Sequence, residues 1–143
     1  MTGSATPTGS AMPTGELSRR VEALLRARLE AEVRRLVVKT VRRLVERSPV
    51  GQGIHAGRFA ASWRVGVNQI DVSVSLGGHD EAPTLPEWRL GETIFITNSL
   101  WYSLGLEFGH SAQAPSGVVW VTLAELLTGT LSFTERDPQL QAV

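Results

Sequence analysis

A chain of 143 residues with no cysteine has room for one compact domain, and for neither a disulfide framework nor a thiolate metal site. Its hydrophobic fraction of 42% is that of a globular protein rather than a wholly disordered one. A formal net charge of zero argues against a binder held to nucleic acid by phosphate neutralisation.

Residues 1–15 carry the short repeat SATPTG, SAMPTG, which is small, polar and proline-bearing. Such a segment buries too little surface to offset the entropy of ordering, so a flexible tail is expected. From Glu16 to Arg47 the texture changes. Leu17, Val21, Leu24, Leu25, Leu29, Val33, Leu36, Val37, Val41, Leu44 and Val45 recur at helical spacing, and nothing breaks the pattern before Ser48-Pro49. A helix over 16–47 would reach ~48 Å, longer than the ~30 Å expected of a domain this size. The apolar stripe runs along nearly its whole length, which predicts a helix that projects and packs on another chain. This stretch holds ten basic and five acidic residues, a net +5, and leaves −5 for the rest. A basic helix and an acidic body attract each other within a chain or between subunits.

Residues 49–56 read as a glycine-rich loop. "ASWRVGVN" and "IDVSVSL" then alternate apolar and polar residues, which predicts an antiparallel pair turning at Asn68-Gln69. Residues 77–91 hold Gly-Gly, two prolines and three acidic side chains, and predict a long mobile loop. A third strand is expected over Glu92–Thr97 and a short helix in "SLWYSLGLEFG" ending at Gly109. "HSAQAPSG" returns to loop. A second long helix is expected over 118–133, and 134–143 is a polar tail. The fold class is α+β: a long N-terminal helix, a small antiparallel sheet and a C-terminal helix, with one domain over 16–133.

Several chemistries can be weighed. Gly109-His110-Ser111-Ala112-Gln113 resembles the nucleophile turn of serine hydrolases, but that turn needs a small residue two places after the serine and Gln113 stands there. Glu107 and His110, with His55 and His79, lack the paired-histidine spacing of a metal site, and no cofactor is expected. The arginines of the first helix are interleaved with glutamates and carry no aromatics for base stacking, so sequence-specific nucleic-acid readout is not expected. No apolar run approaches the ~20 residues of a membrane span, and the start lacks a signal-peptide pattern, so a soluble protein made in the cytoplasm is expected. Four tryptophans are many for this length. Trp88, in the acidic proline loop, is the expected interface anchor, with Arg34, Arg35, Arg42 and Arg43 on the helix as further candidates.

Two segments acquire meaning together. Ser48-Pro49-Val50, followed by Gly57-Arg58-Phe59-Ala60-Ala61-Ser62-Trp63, resembles S-P-V-D-T-G-R-[FL]-x-x-S-[WI]. Asn98, Tyr102 and the run Glu107-Phe108-Gly109-His110-Ser111-Ala112-Gln113-Ala114-Pro115-Ser116-Gly117 resemble N-x(n)-Y-x(n)-E-x-G-x-S-x-Q-A-P-x-G. Both patterns, in this order, are those of the tail-completion or head–tail joining (neck) proteins of tailed bacteriophages. The likeness covers roughly 48–127. His55-Ala56 replaces the family's Asp-Thr, after a two-glycine insertion at Gly51 and Gly53.

The resemblance implies a non-enzymatic virion protein made in the host cytoplasm. Its subunits would form a ring, sixfold to match the usual tail symmetry, at the neck. The ring would bind a head-side connector, stopper or adaptor and a tail terminator or tail-tube protein. Genomic DNA would pass through its lumen without sequence recognition. It further implies that Gly57, Arg58, Phe59, Ser62, Trp63, Asn98, Tyr102, Glu107, Gly109, Ser111, Gln113, Pro115 and Gly117 form a structural junction. Within it Arg58 would pair with Glu107, Trp63 would pack with Tyr102, and a loop from Gly109 to Gly117 would reach a neighbour. A tail terminator capping the tube, and a small hydrolase using Ser111 and His110, remain as alternatives.

Overall fold

A computed structural model describes residues 13–76 and 83–129, with the isolated positions Gly3, Gly9 and Ala11. The element order is α1 (Thr14–Arg47), a 3-10 turn (Gly53–His55), α2 (Arg58–Ala61), β1 (Trp63–Val67), β2 (Ile94–Asn98), α3 (Ser103–Glu107) and α4 (Val119–Thr128). This is the expected α+β arrangement. The tails expected over 1–15 and 134–143 lie almost wholly outside the described residues, as do 77–82 with His79; Thr14 and Gly15 already belong to α1.

Helix α1 runs for 34 residues, about 51 Å at 1.5 Å per residue. Only its C-terminal half is packed. Val37, Val41 and Leu44 are buried, whereas Leu17, Val21, Leu24, Leu25 and Leu29 are exposed. Two apolar clusters flank the packed half. One gathers Leu44, Phe59, Trp63, Leu100, Ala114 and Val118; the other gathers Val37, Val41, Val65 and Trp88. Val45 and Ile96 lie against both and join them into a continuous core.

The sheet corrects the expected pairing. Strand β1 runs antiparallel to β2, with Trp63 opposite Asn98, Val65 opposite Ile96 and Val67 opposite Ile94. The segment "IDVSVSL" forms no strand among the described residues. Asn68, at φ 59°, closes the β1–β2 pair instead: its amide donates to the Thr93 carbonyl and its side-chain oxygen accepts from the Thr93 amide. The chain then folds back over Gly66, where a Cβ would stand 2.1 Å from the Gln69 carbonyl oxygen. Side chains tether the segment beyond Gln69. Arg64 donates to the Ser73 hydroxyl, Thr97 to the Asp71 carbonyl, and the Ser75 amide to the Ser62 hydroxyl. Hydrogen bonds from Ser73, side chain then backbone, hold the Asp71 carboxyl below its ordinary range.

Trp88 is also corrected. At 8% exposure it belongs to the core, its ring covered by the Arg34 guanidinium at 4.5 Å. The apolar pattern of α1 leaves a slot that the large ring fills, and Arg34 then reaches Glu87 at 3.0 Å. The other candidate arginines are engaged within the chain as well. Arg35 pairs with Glu32 and Arg43 with Glu46, and Arg42 has a partner. Arg47 bonds Glu125 and Thr122, tying α1 to α4. Helix α4 ends at Thr128, short of the expected Phe133, because Gly129 takes a left-handed conformation at φ 69°. No helix among the described residues is long and apolar enough to cross a membrane.

Candidate functional site: the junction of two segments

The end of α1 begins the site. Ser48 is extended before Pro49, as a residue preceding proline prefers. Its buried hydroxyl donates to the Leu44 carbonyl at 2.6 Å and accepts the Trp63 indole N–H at 2.9 Å. One serine thereby caps the helix and satisfies a core tryptophan.

The loop after Pro49 closes where the Gly57 amide donates to the Val50 carbonyl at 2.6 Å. Gly57 is left-handed, φ 76°, and turns the chain into α2. The loop forms with His55-Ala56 in the place of Asp-Thr, through the 3-10 turn over Gly53–His55. Phe59 is buried edge-on to Trp63, centroids 5.7 Å apart, and lies 6.2 Å from the Tyr102 ring. Phe59 therefore stands between Trp63 and Tyr102 as the shared contact.

Asn98, at the end of β2, donates to the Phe59 carbonyl at 2.8 Å and accepts from the Leu100 amide. It finishes α2 and opens the turn into α3. Ser103 then donates to the Asn98 and Leu100 carbonyls.

Glu107 is the hub of the second segment. Its carboxylate accepts the Val118, Val119 and Trp120 amides at 2.9, 2.8 and 2.7 Å. These are orphan donors at the start of α4, whose local N-cap supplies no side-chain bond. The expected Arg58–Glu107 pair does not form. Arg58 donates instead to the Ser75 carbonyl, because three aligned N–H groups and a helix dipole already satisfy the carboxylate.

The chain must cross itself closely for Glu107 to reach so far ahead. Gly109, φ 80°, turns out of α3, and a Cβ there would lie 2.5 Å from the Pro115 carbonyl oxygen. Gly117, φ 79°, passes over Glu107, where a Cβ would lie 2.5 Å from its carbonyl oxygen and 2.8 Å from its carboxylate. Between them the Ser111 carbonyl accepts from the Ala114 amide, and its hydroxyl accepts from the Gln113 amide. Gln113 reaches out of this loop: its side-chain oxygen accepts the Val50 amide at 2.9 Å. The two segments, about fifty residues apart, thus meet at Val50–Gln113 and Phe59–Tyr102.

A groove of about 550 Å³ lies between them, lined by residues that include His55, Phe59, Tyr102, His110, Ser111 and Gln113. No hydrogen bond among the described residues joins the Ser111 hydroxyl to either histidine, and no group of three acidic or histidine side chains is placed to hold a metal ion. Nothing in the local sequence marks Ser48 or Gln113 as a bridge between elements. Nor does it single out Trp101, Phe108 and Trp120, which stand outside the junction at 89%, 73% and 71% exposure. No family model, curated protein or solved structure matches the chain.

Proposed function

We propose that this chain is a ring-forming structural subunit of a phage neck, which joins the DNA-filled head connector to the tail and continues the DNA exit channel. The observation that carries this reading is the convergence of the two resembling segments into one junction. Their named residues have structural roles there: Glu107 caps α4, Gly109 and Gly117 permit the crossing, and Gln113 binds the first loop. A projecting α1 and an exposed aromatic surface agree with a subunit that is finished by its neighbours.

The ring, sixfold in the family's manner, would bind a connector, stopper or adaptor on the head side and a tail terminator or tail-tube protein on the other. DNA would pass without sequence readout. Virions assembled without the protein test the reading by electron microscopy. DNA-filled heads beside free tails are expected; intact virions would refute it.

A further inference from the structure

Among the described residues, two groups of exposed apolar side chains follow helical spacing, and they lie on different elements. The first is on α1. Leu17, Val21, Leu24 and Arg28 follow at spacings of four, three and four, which places them on one helix face. At ~100° per residue that face is half a turn from Val37, whose side chain enters the chain's own core. The body that buries Val37 reaches only the edge of this face, where Leu90 borders a cleft with Leu17 and Val21, and Leu17, Val21 and Leu24 all stay exposed.

The second surface is formed around α3 and α4. Trp101, Leu104 and Phe108 are spaced three and four, and so are Trp120, Leu123 and Leu127; all six are exposed. Glu107, next to Phe108 in the chain, bonds the Trp120 amide and so ties the two segments together. The three aromatic rings alone leave on the order of 500 Å² uncovered. A stable interface needs ~800 Å² from each partner, which the three leucines bring within reach.

We infer that these surfaces bind each other between copies: the Leu17–Arg28 face of α1 in one subunit lies on the Trp101–Phe108 and Trp120–Leu127 stripes of the next. Three features select this occupant. Both surfaces carry the three–four spacing by which a helix seats in an apolar groove. Pairing α1 with α1 in parallel would set Arg28 and Arg35, on the same face seven residues apart, against their own copies. Arg28, exposed and without an ion pair among the described residues, instead meets tryptophans, and the chain already packs an α1 arginine on a tryptophan ring at Arg34 and Trp88. Contact between unlike surfaces is heterologous and closes into a ring when the rotation allows.

The inference rests on the ring reading above, and cross-linking separates the two. The chain has no cysteine, so single Ala31→Cys and Ala124→Cys variants, both at exposed positions, report the contact without removing an anchor. A short bismaleimide should cross-link the two variants only when mixed. A chain carrying both should give a ladder of multimers, and adding Trp120→Ala should lower the mixed cross-link at least tenfold with the circular dichroism unchanged. Cross-linking of Ala31→Cys with itself overturns the pairing, as does a protein that stays monomeric or assembles without the mixed product. If such a protein still restores head–tail joining in phage lacking it, the neck reading stands and only this pairing falls. A protein that cross-links as expected but leaves virions intact when deleted refutes the neck reading and keeps the pairing.

Discussion

Replacing Glu107 by alanine tests the junction most directly. The carboxylate accepts three amides at the start of α4 and sits where the helix dipole favours negative charge. Alanine leaves the Val119 and Trp120 amides to water, since both residues are exposed, but Val118 is 1% exposed and its N–H is stranded. An unsatisfied buried donor costs about 1–3 kcal/mol, and the lost charge–dipole attraction adds about 0.3–1 kcal/mol. Glu107→Ala should therefore destabilise by about 2–3 kcal/mol, and Glu107→Gln, which keeps one acceptor, by about half as much. For a domain of this size that lowers Tm by roughly 10 °C for alanine. Urea unfolding followed by tryptophan fluorescence at fixed protein concentration measures it, because assembly would make the midpoint concentration-dependent. A change below ~0.5 kcal/mol for alanine refutes the capping role, and equal losses for alanine and glutamine would show that the charge, not the acceptor or the packing that glutamine retains, is what Glu107 supplies.

Two further outcomes derive from the core. Ser48→Ala strands the Trp63 indole N–H in a buried site and should cost about 2 kcal/mol in urea unfolding; wild-type stability would mean that the bond contributes nothing. Trp88→Ala should lose about 3–5 kcal/mol as a buried ring is deleted, whereas Arg34→Ala, which removes a surface cation–π contact and a pair to the exposed Glu87, should lose about 1 kcal/mol; the reverse order would return Trp88 to the surface.

Features that depend on neighbours along the chain were legible in the sequence. Helix α1 could be read from its period and from Ser48-Pro49, and α3 from the glycine that ends it. The strand pairing could not. β1 is succeeded by two segments of similar alternation, and the choice between them is made by Asn68 turning onto Thr93 and by the chain crossing Gly66. Trp88 misled because its acidic, proline-bearing surroundings are those of a loop, while the slot it fills belongs to α1 more than forty residues earlier. Gly129 was available as a stop for α4, but the apolar Leu131 and Phe133 beyond it continue the helical pattern. Glu107 was visible as a motif residue, yet a cap eleven residues from its helix has no local signature.

The same geometry explains why the second segment resembles a nucleophile turn. A hydrolase elbow needs small residues around its serine because backbone crosses backbone there. Here too the chain crosses itself, at Gly109 over Pro115 and at Gly117 over Glu107, and the glycines answer that need. The serine itself serves another end. Its hydroxyl and carbonyl accept the amides of Gln113 and Ala114, which aims the Gln113 side chain at Val50. Ser111 thus acts by shaping a turn. In this chain the run from Glu107 to Gly117 meets one requirement, that a carboxylate ending one helix reach the amides of Val118, Val119 and Trp120 while the loop between them holds the opposite segment.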